Sequence, residues 1–253
     1  KSGRGFYVHG TKKMINPDWL KEKFIPFLKT KEADKAEVIF FRTITQVSRF
    51  ANSQIHQHMS DEDQAIYFRV LLEGRMGLAS TNSVDEHNLK ETFKKALRIA
   101  QIKLDTQGKR DIPSIKALPC LSSFYFPKTA HTPAAVRTKT LQKIFDYAEN
   151  LKVKFSGNLY NGLTQIAVIT PKAQMNYQDY SFAGIKLIAA QDEASGYASQ
   201  VGYDIDTLNP KAAADRAIEK CLLGLKKITL KPQRYDVILE PAAVAELIQW
   251  LNY

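Results

Sequence analysis

An α+β fold is predicted by two observations: strand-like runs rich in β-branched and aromatic residues occur in two separate stretches, and each stretch is followed by a segment with helical apolar spacing. The expected architecture is a duplicated β-hairpin-rich unit plus helix, giving mixed or antiparallel sheet halves with helices packed on one face. The elements follow in order. Asn16-Pro17 sets a capping residue before a proline at a first helical position, and Trp19, Leu20, Phe24 and Leu28 repeat with helical spacing. A helix is expected over about 17–30, bent or ended by Pro26. Strands are expected over 37–42, 44–50, 54–59 and 64–72, with Asp61, Glu62 and Asp63 in a turn, and a hairpin turn at Glu73-Gly74 leads to a strand over 76–81.

Ser83-Val84-Asp85-Glu86 has a capping-box pattern and opens a helix to about 104 through Leu89, Phe93, Leu97 and Ala100. Pro113, Pro119, Pro127 and Pro133 mark 105–133 as a long surface linker and natural hinge. Thr132-Pro133 opens another helix to about Asn150, with Val136, Leu141, Ile144, Phe145 and Ala148 inward. Strands over 152–160, 164–170, 174–179, 182–190 and 195–202 precede a helix over 210–224, a strand over Tyr235–Leu239 and a helix opened by Pro241.

A shift of 119 positions lays the second series on the first without a gap: Thr45-Gln46 meets Thr164-Gln165, Gly77 meets Gly196, Ala79-Ser80 meets Ala198-Ser199, Asp85 meets Asp204 and Leu89 meets Leu208. This reads as an internal duplication within one α+β domain over 1–230, with halves at about 37–104 and 153–224. Residues 231–253 read as the start of a C-terminal domain, and the chain as a fragment, since it lacks an initial Met and stops inside an apolar helix.

With 253 residues, 44% of them hydrophobic, the chain is long enough to bury a sizeable core. The net charge of +10 permits nucleic acid, anionic membrane or an acidic partner. The positives are spread over helix faces and strand ends, which disfavours a nucleic-acid footprint. Two cysteines in unrelated contexts suggest neither a disulfide framework nor a zinc knuckle. No membrane span or signal peptide is legible, so a cytoplasmic location is expected.

Positions at which the two copies differ are where function is sought. The first copy carries Arg49, Asn52, His56, Gln57, His58, Arg69 and Arg75, where the second has Val168, Pro171, Met175, Asn176, Tyr177, Ile188 and Ala194. Arg49, Asn52, His56, Gln57, Arg69 and Arg75, with Asn82, form the candidate set for gripping a carboxylate or the main chain of an extended peptide. His56 and His58 stand at i and i+2, which points both rings to one face of a regular strand. No third ligand is placed beside them, so no metal site is assigned. Asp85 and Asp204 are expected to cap helices. No nucleophile and base pairing, phosphate loop or C-x-x-C occurs, and no catalytic residue is assigned.

The run RFANSQIHQH, the strand IYFRVLLEGRMGLASTN, a helix near DEHNL, the SGYAS turn and RYDVILEPAAVAELIQWL together resemble the TldD/PmbA family, also called modulator of DNA gyrase. The resemblance runs from about Glu37 to the end. It implies a zinc metalloprotease assembly of a TldD with a TldE (PmbA) subunit that cleaves unfolded peptides. The family's HExxxH motif lies on the helix after the VILEP-like strand, where Gln249 and Trp250 replace the first histidine and the glutamate. The resemblance therefore implies a PmbA/TldE-like subunit without a cofactor of its own, with zinc in the partner. The implied partners are a TldD-like subunit or a second copy of the chain, and an extended peptide. Whether such a chain has any activity alone is left open, and the alternative is a basic module binding nucleic acid or a topoisomerase.

Overall fold

A computed structural model describes residues 15–102, 111–113, 115–116, 118–170, 172 and 174–251. Six helices, α1 (Pro17–Leu28), α2 (Glu86–Ile102), α3 (Pro127–Ala130), α4 (Ala134–Glu149), α5 (Pro210–Gly224) and α6 (Pro241–Leu251), accompany six strands among these residues. The strands are β1 (Lys35–Ala51), β2 (Gln54–Leu72), β3 (Arg75–Thr81), β4 (Lys154–Ile169), β5 (Met175–Gln191) and β6 (Ala194–Gly202). They form one sheet in the order β3-β2-β1-β4-β5-β6. The α+β expectation holds.

Pairs of expected strands prove to be single long ones. Residues 37–42 and 44–50 merge into β1, 54–59 and 64–72 into β2, and the two pairs in the second half into β4 and β5. The acidic run Asp61–Asp63, expected in a turn, lies within β2. The apolar alternation lapses at these points, but a strand is held by its backbone ladder, which continues through polar side chains. Conversely, Tyr235–Leu239 forms no strand, because among the described residues no neighbour supplies a ladder for it.

The chain divides into two compact units. The first comprises 1–42, 63–121 and 165–178. Its core joins Leu20, Phe24 and Leu28 of α1, Val38 and Phe40 of β1, Ile66, Phe68 and Val70 of β2, and Leu89, Phe93 and Leu97 of α2. Phe68 meets Phe27 and Phe93 with ring centroids 5.1 and 5.6 Å apart, which knits strand to both helices. Asn16 caps α1 through Trp19 N, as expected. At α2 the cap is Asp85, whose Oδ1 accepts from the amides of His87 and Asn88, in place of the expected capping box.

The second unit comprises 43–62, 122–164 and 179–253. Leu141, Ile144 and Phe145 of α4, Phe155 and Leu159 of β4, Ile185 and Leu187 of β5, and Ala213, Ala214, Ala217 and Cys221 of α5 form its core. The inward stripe of α4 differs from expectation at one place. Val136 is exposed, and Arg137, four residues before Leu141, takes the buried position. Asn209 caps α5, so Asp204 caps only the 3-10 turn Ile205–Thr207. Leu208 ends that turn outside α5, and the gapless match of Leu208 to Leu89 does not hold in the structure.

The expected surface linker is fastened where it is described. In the first unit, Asn176 Oδ1 accepts from Leu118 N and Gln178 Oε1 from Leu121 N. In the second, Ser181 Oγ accepts from Phe126 N. Side-chain amides of β5 thus stand in for a neighbouring strand. Residues 105–110 of that linker, the basic N-terminus with His9, and Pro171 lie outside the described residues.

Candidate functional site

The candidate set from the sequence is divided between the units. Arg69, Arg75 and Asn82 belong to the first, where both arginine side chains are occupied. Arg69 Nη2 lies 2.6 Å from Glu37 Oε1, and Glu37 is 3% exposed. Burial pushes the Glu37 carboxyl above its usual pKa while the Arg69 charge opposes the shift. Arg75 binds the Glu73 carboxylate and donates to the Gln101 carbonyl at 3.0 Å, which ties the β2–β3 hairpin to the end of α2. The Asn82 carbonyl accepts from Gln64 Nε2 at 2.7 Å. These contacts are structural.

Arg49, Asn52, His56 and Gln57 belong to the second unit and are exposed. Asn52 and Ser53 have φ of 51° and 57°, the conformation of a two-residue type I′ hairpin turn, which asparagine tolerates well. Beyond the turn, β2 has an open edge. β3 pairs only with Ile66–Leu72, so among the described residues no strand lies on that side of Gln54–Glu62. Ile55 packs on the core beside Phe50, and His58 Nδ1 lies 2.8 Å from Ser48 Oγ, although Ile55 and His58 are an odd number of residues apart. Among the described residues no group of three metal-ligating side chains forms.

His58 leads to a polar cluster that the sequence reading did not include. Ser48 Oγ also accepts from Arg137 Nε at 2.8 Å. Arg137 Nη1 donates to Asn161 Oδ1 at 2.6 Å, to the Thr132 carbonyl at 2.8 Å and to Gln46 Oε1 at 3.2 Å. Asn161 in turn donates to the Thr129 carbonyl. Arg137 is 3% exposed, and Ser48 and Asn161 are fully buried. All of the acceptors are neutral. Burial pushes the guanidinium pKa down from its usual value, yet an arginine remains a cation at neutral pH. The one signal in the sequence is an arginine at the helical spacing of Leu141 and Ile144, where an apolar residue would stand.

The comparisons with known proteins bear on this architecture. Residues 36–100, which run from β1 to α2, match the model of PmbA/TldA metallopeptidase domain 1. The match covers 65 of the 253 residues, so this segment is similar to that family's first domain. Three solved structures share the fold of the chain. A Bacteroides thetaiotaomicron protein described as a candidate modulator of DNA gyrase aligns with a TM-score of 0.68 at 12% identity, over 83% of this chain and 50% of that one. TldE from Thermococcus kodakarensis aligns at 0.58 and 14% identity, over 79% and 47%. A Thermotoga maritima protein described as a candidate modulator of a DNA gyrase aligns at 0.55 and 17%, over 74% and 44%. The chain spans about half the length of each structure. No curated protein matches the sequence. Among the described residues no helix is long and apolar enough to cross a membrane.

Proposed function

We propose that this PmbA/TldD-type chain is the peptide-holding part of a subunit that works with a TldD-like catalytic partner, without zinc chemistry of its own. The observation that carries the reading is the open edge of β2 over Gln54–Glu62. An exposed strand edge offers main-chain donors and acceptors to any extended peptide, independent of its sequence, which suits a broad-specificity protease assembly. His56 and Gln57 lie on that strand, and Arg49 and Asn52 lie close by in the chain, so they supply side-chain contacts to such a peptide. On the resemblance to the family, Gln249 and Trp250, both within α6, correspond to the first histidine and the glutamate of its metal motif. The catalytic ligands are accordingly assigned to the partner.

Internal duplication is part of this reading and is supported by how glycine meets helix in each unit. A Cβ added to Gly77 would lie 1.9 Å from the Ala96 carbonyl oxygen and 2.7 Å from Ala100 N. One added to Gly196 would lie 2.1 Å from the Ala217 carbonyl oxygen and 2.5 Å from Cys221 N. The glycines correspond at a shift of 119 and the helices at 121, because the second connection is two residues longer.

The test uses an unstructured peptide capped at both ends and amide hydrogen exchange on the chain. Protection of amides in 54–62 on addition of peptide is expected, as is cleavage of that peptide only when a TldD-like chain with intact HExxxH is added. Absence of protection there overturns the reading. Binding to duplex DNA that weakens steeply with salt, with no association with a TldD-like chain, would favour the nucleic-acid alternative.

A further inference from the structure

We propose that the second unit carries a receptor pocket for a single carboxylate, with Arg137 as its anchor and the C-terminus of a peptide as its ligand. The four hydrogen bonds of Arg137 all leave from Nε and Nη1, and among the described residues Nη2 has no partner although the residue is 3% exposed. Nη2 is not among the sealed donors left without a partner, so it opens onto space. Arg137 also lines a cavity of about 410 Å³. Such a volume suits a ligand the size of one or two residues. A buried guanidinium held only by neutral acceptors leaves one positive charge to be matched, and its planar fork matches a carboxylate.

Two further features of the cavity favour the same ligand. Thr132, Pro133 and Val136 bring the start of α4 to its wall, and no side chain caps that helix. The positive end of the helix dipole adds to the attraction for an anion. The other ionisable side chains in the lining are His131, Lys128 and Asp206, and Lys128 is held by the Asp206 carboxylate at 2.5 Å. Asp206 offsets Lys128 and repels a doubly charged group, so one negative charge is preferred over a phosphate dianion. Val136, Leu159 and Leu208 contribute apolar wall. A carboxylate on an aliphatic residue, as at a peptide ending in leucine, meets both the charge and the wall. Arg137 thereby registers a chain end, whereas the β2 edge accepts any extended segment.

The identity of the ligand as a peptide end rests on the peptide-binding reading above, and the experiment separates the two. Titration calorimetry on the full chain compares N-acetyl-leucine with its amide, and a capped peptide serves as the third ligand. The acid is expected to bind at least tenfold more tightly than the amide. Val136→Trp, at an exposed wall position outside the Arg137 hydrogen bonds, should fill the cavity and remove acid binding while leaving capped-peptide binding and thermal stability as in the parent. Equal affinity for acid and amide, or acid binding that survives Val136→Trp, overturns the pocket. Capped-peptide binding without acid binding defeats the pocket and leaves the edge reading standing. Acid binding without capped-peptide binding does the reverse.

Discussion

Gly77→Ala tests how closely β3 and α2 are packed. The added carbon would lie 1.9 Å from the Ala96 carbonyl oxygen and 2.7 Å from Ala100 N. A carbon and an oxygen approach to about 3.3 Å, so strand and helix have to separate by on the order of 1.4 Å. Both partners are backbone, and no side-chain rotation relieves the clash. The cost belongs at the upper end of overpacking, about 3 kcal/mol. For a chain of this size that corresponds to a fall in Tm of roughly 6–12 °C. Gly74→Ala is the control: Gly74 has φ of +76° and no heavy atom within 4 Å of an added Cβ. Its substitution meets only the left-handed backbone preference, about 1 kcal/mol. Urea denaturation followed by far-ultraviolet circular dichroism measures both variants. If Gly77→Ala loses no more than Gly74→Ala, the close approach of strand to helix is not what the glycine serves.

Glu37→Gln tests the buried ion pair through pH. Burial raises the Glu37 pKa above its ordinary 4.5, so this group adds stability below 4.5 and loses it as pH rises through the raised value. Relative to the Gln variant, the parent should gain stability as pH falls through that window, and parallel pH profiles of the urea midpoint would contradict the assignment. Asn161→Leu removes an acceptor from buried Arg137 and a donor from the Thr129 carbonyl, for an expected loss of about 2–3 kcal/mol. A loss under about 1 kcal/mol would show the cluster to be hydrated or replaceable. Asp85→Ala and Asn209→Ala each remove the side-chain cap of a helix and should cost about 1 kcal/mol in thermal denaturation, with no effect on capped-peptide binding.

Local features were legible in the sequence wherever a side chain acts on its own backbone. The turn at Glu73-Gly74, the Asn16 cap and the extents of α4 and α5 follow from turn chemistry, proline placement and apolar period. Strand lengths were not legible, because the polar middles of β1 and β2 interrupt the apolar pattern but not the ladder. The candidate set was legible as residue types and not as a site. Arg69 looks equally free to bind a ligand whether or not Glu37 lies beside it, and Glu37 is far away in the chain.

Arg137 shows the boundary most plainly. The sequence by itself determined an α+β chain, the Glu73-Gly74 turn, the Asn16 cap and a polar set around the first hairpin, since these depend on residues within a turn or two of one another. The tertiary structure alone decided that Arg137 is buried with Ser48 and Asn161, that Gln54–Glu62 keeps an open edge, and that the polar set is split between two units. A buried charge is defined by what surrounds it, and here those groups come from β1, β4 and the segment before α4, which only folding brings to one place.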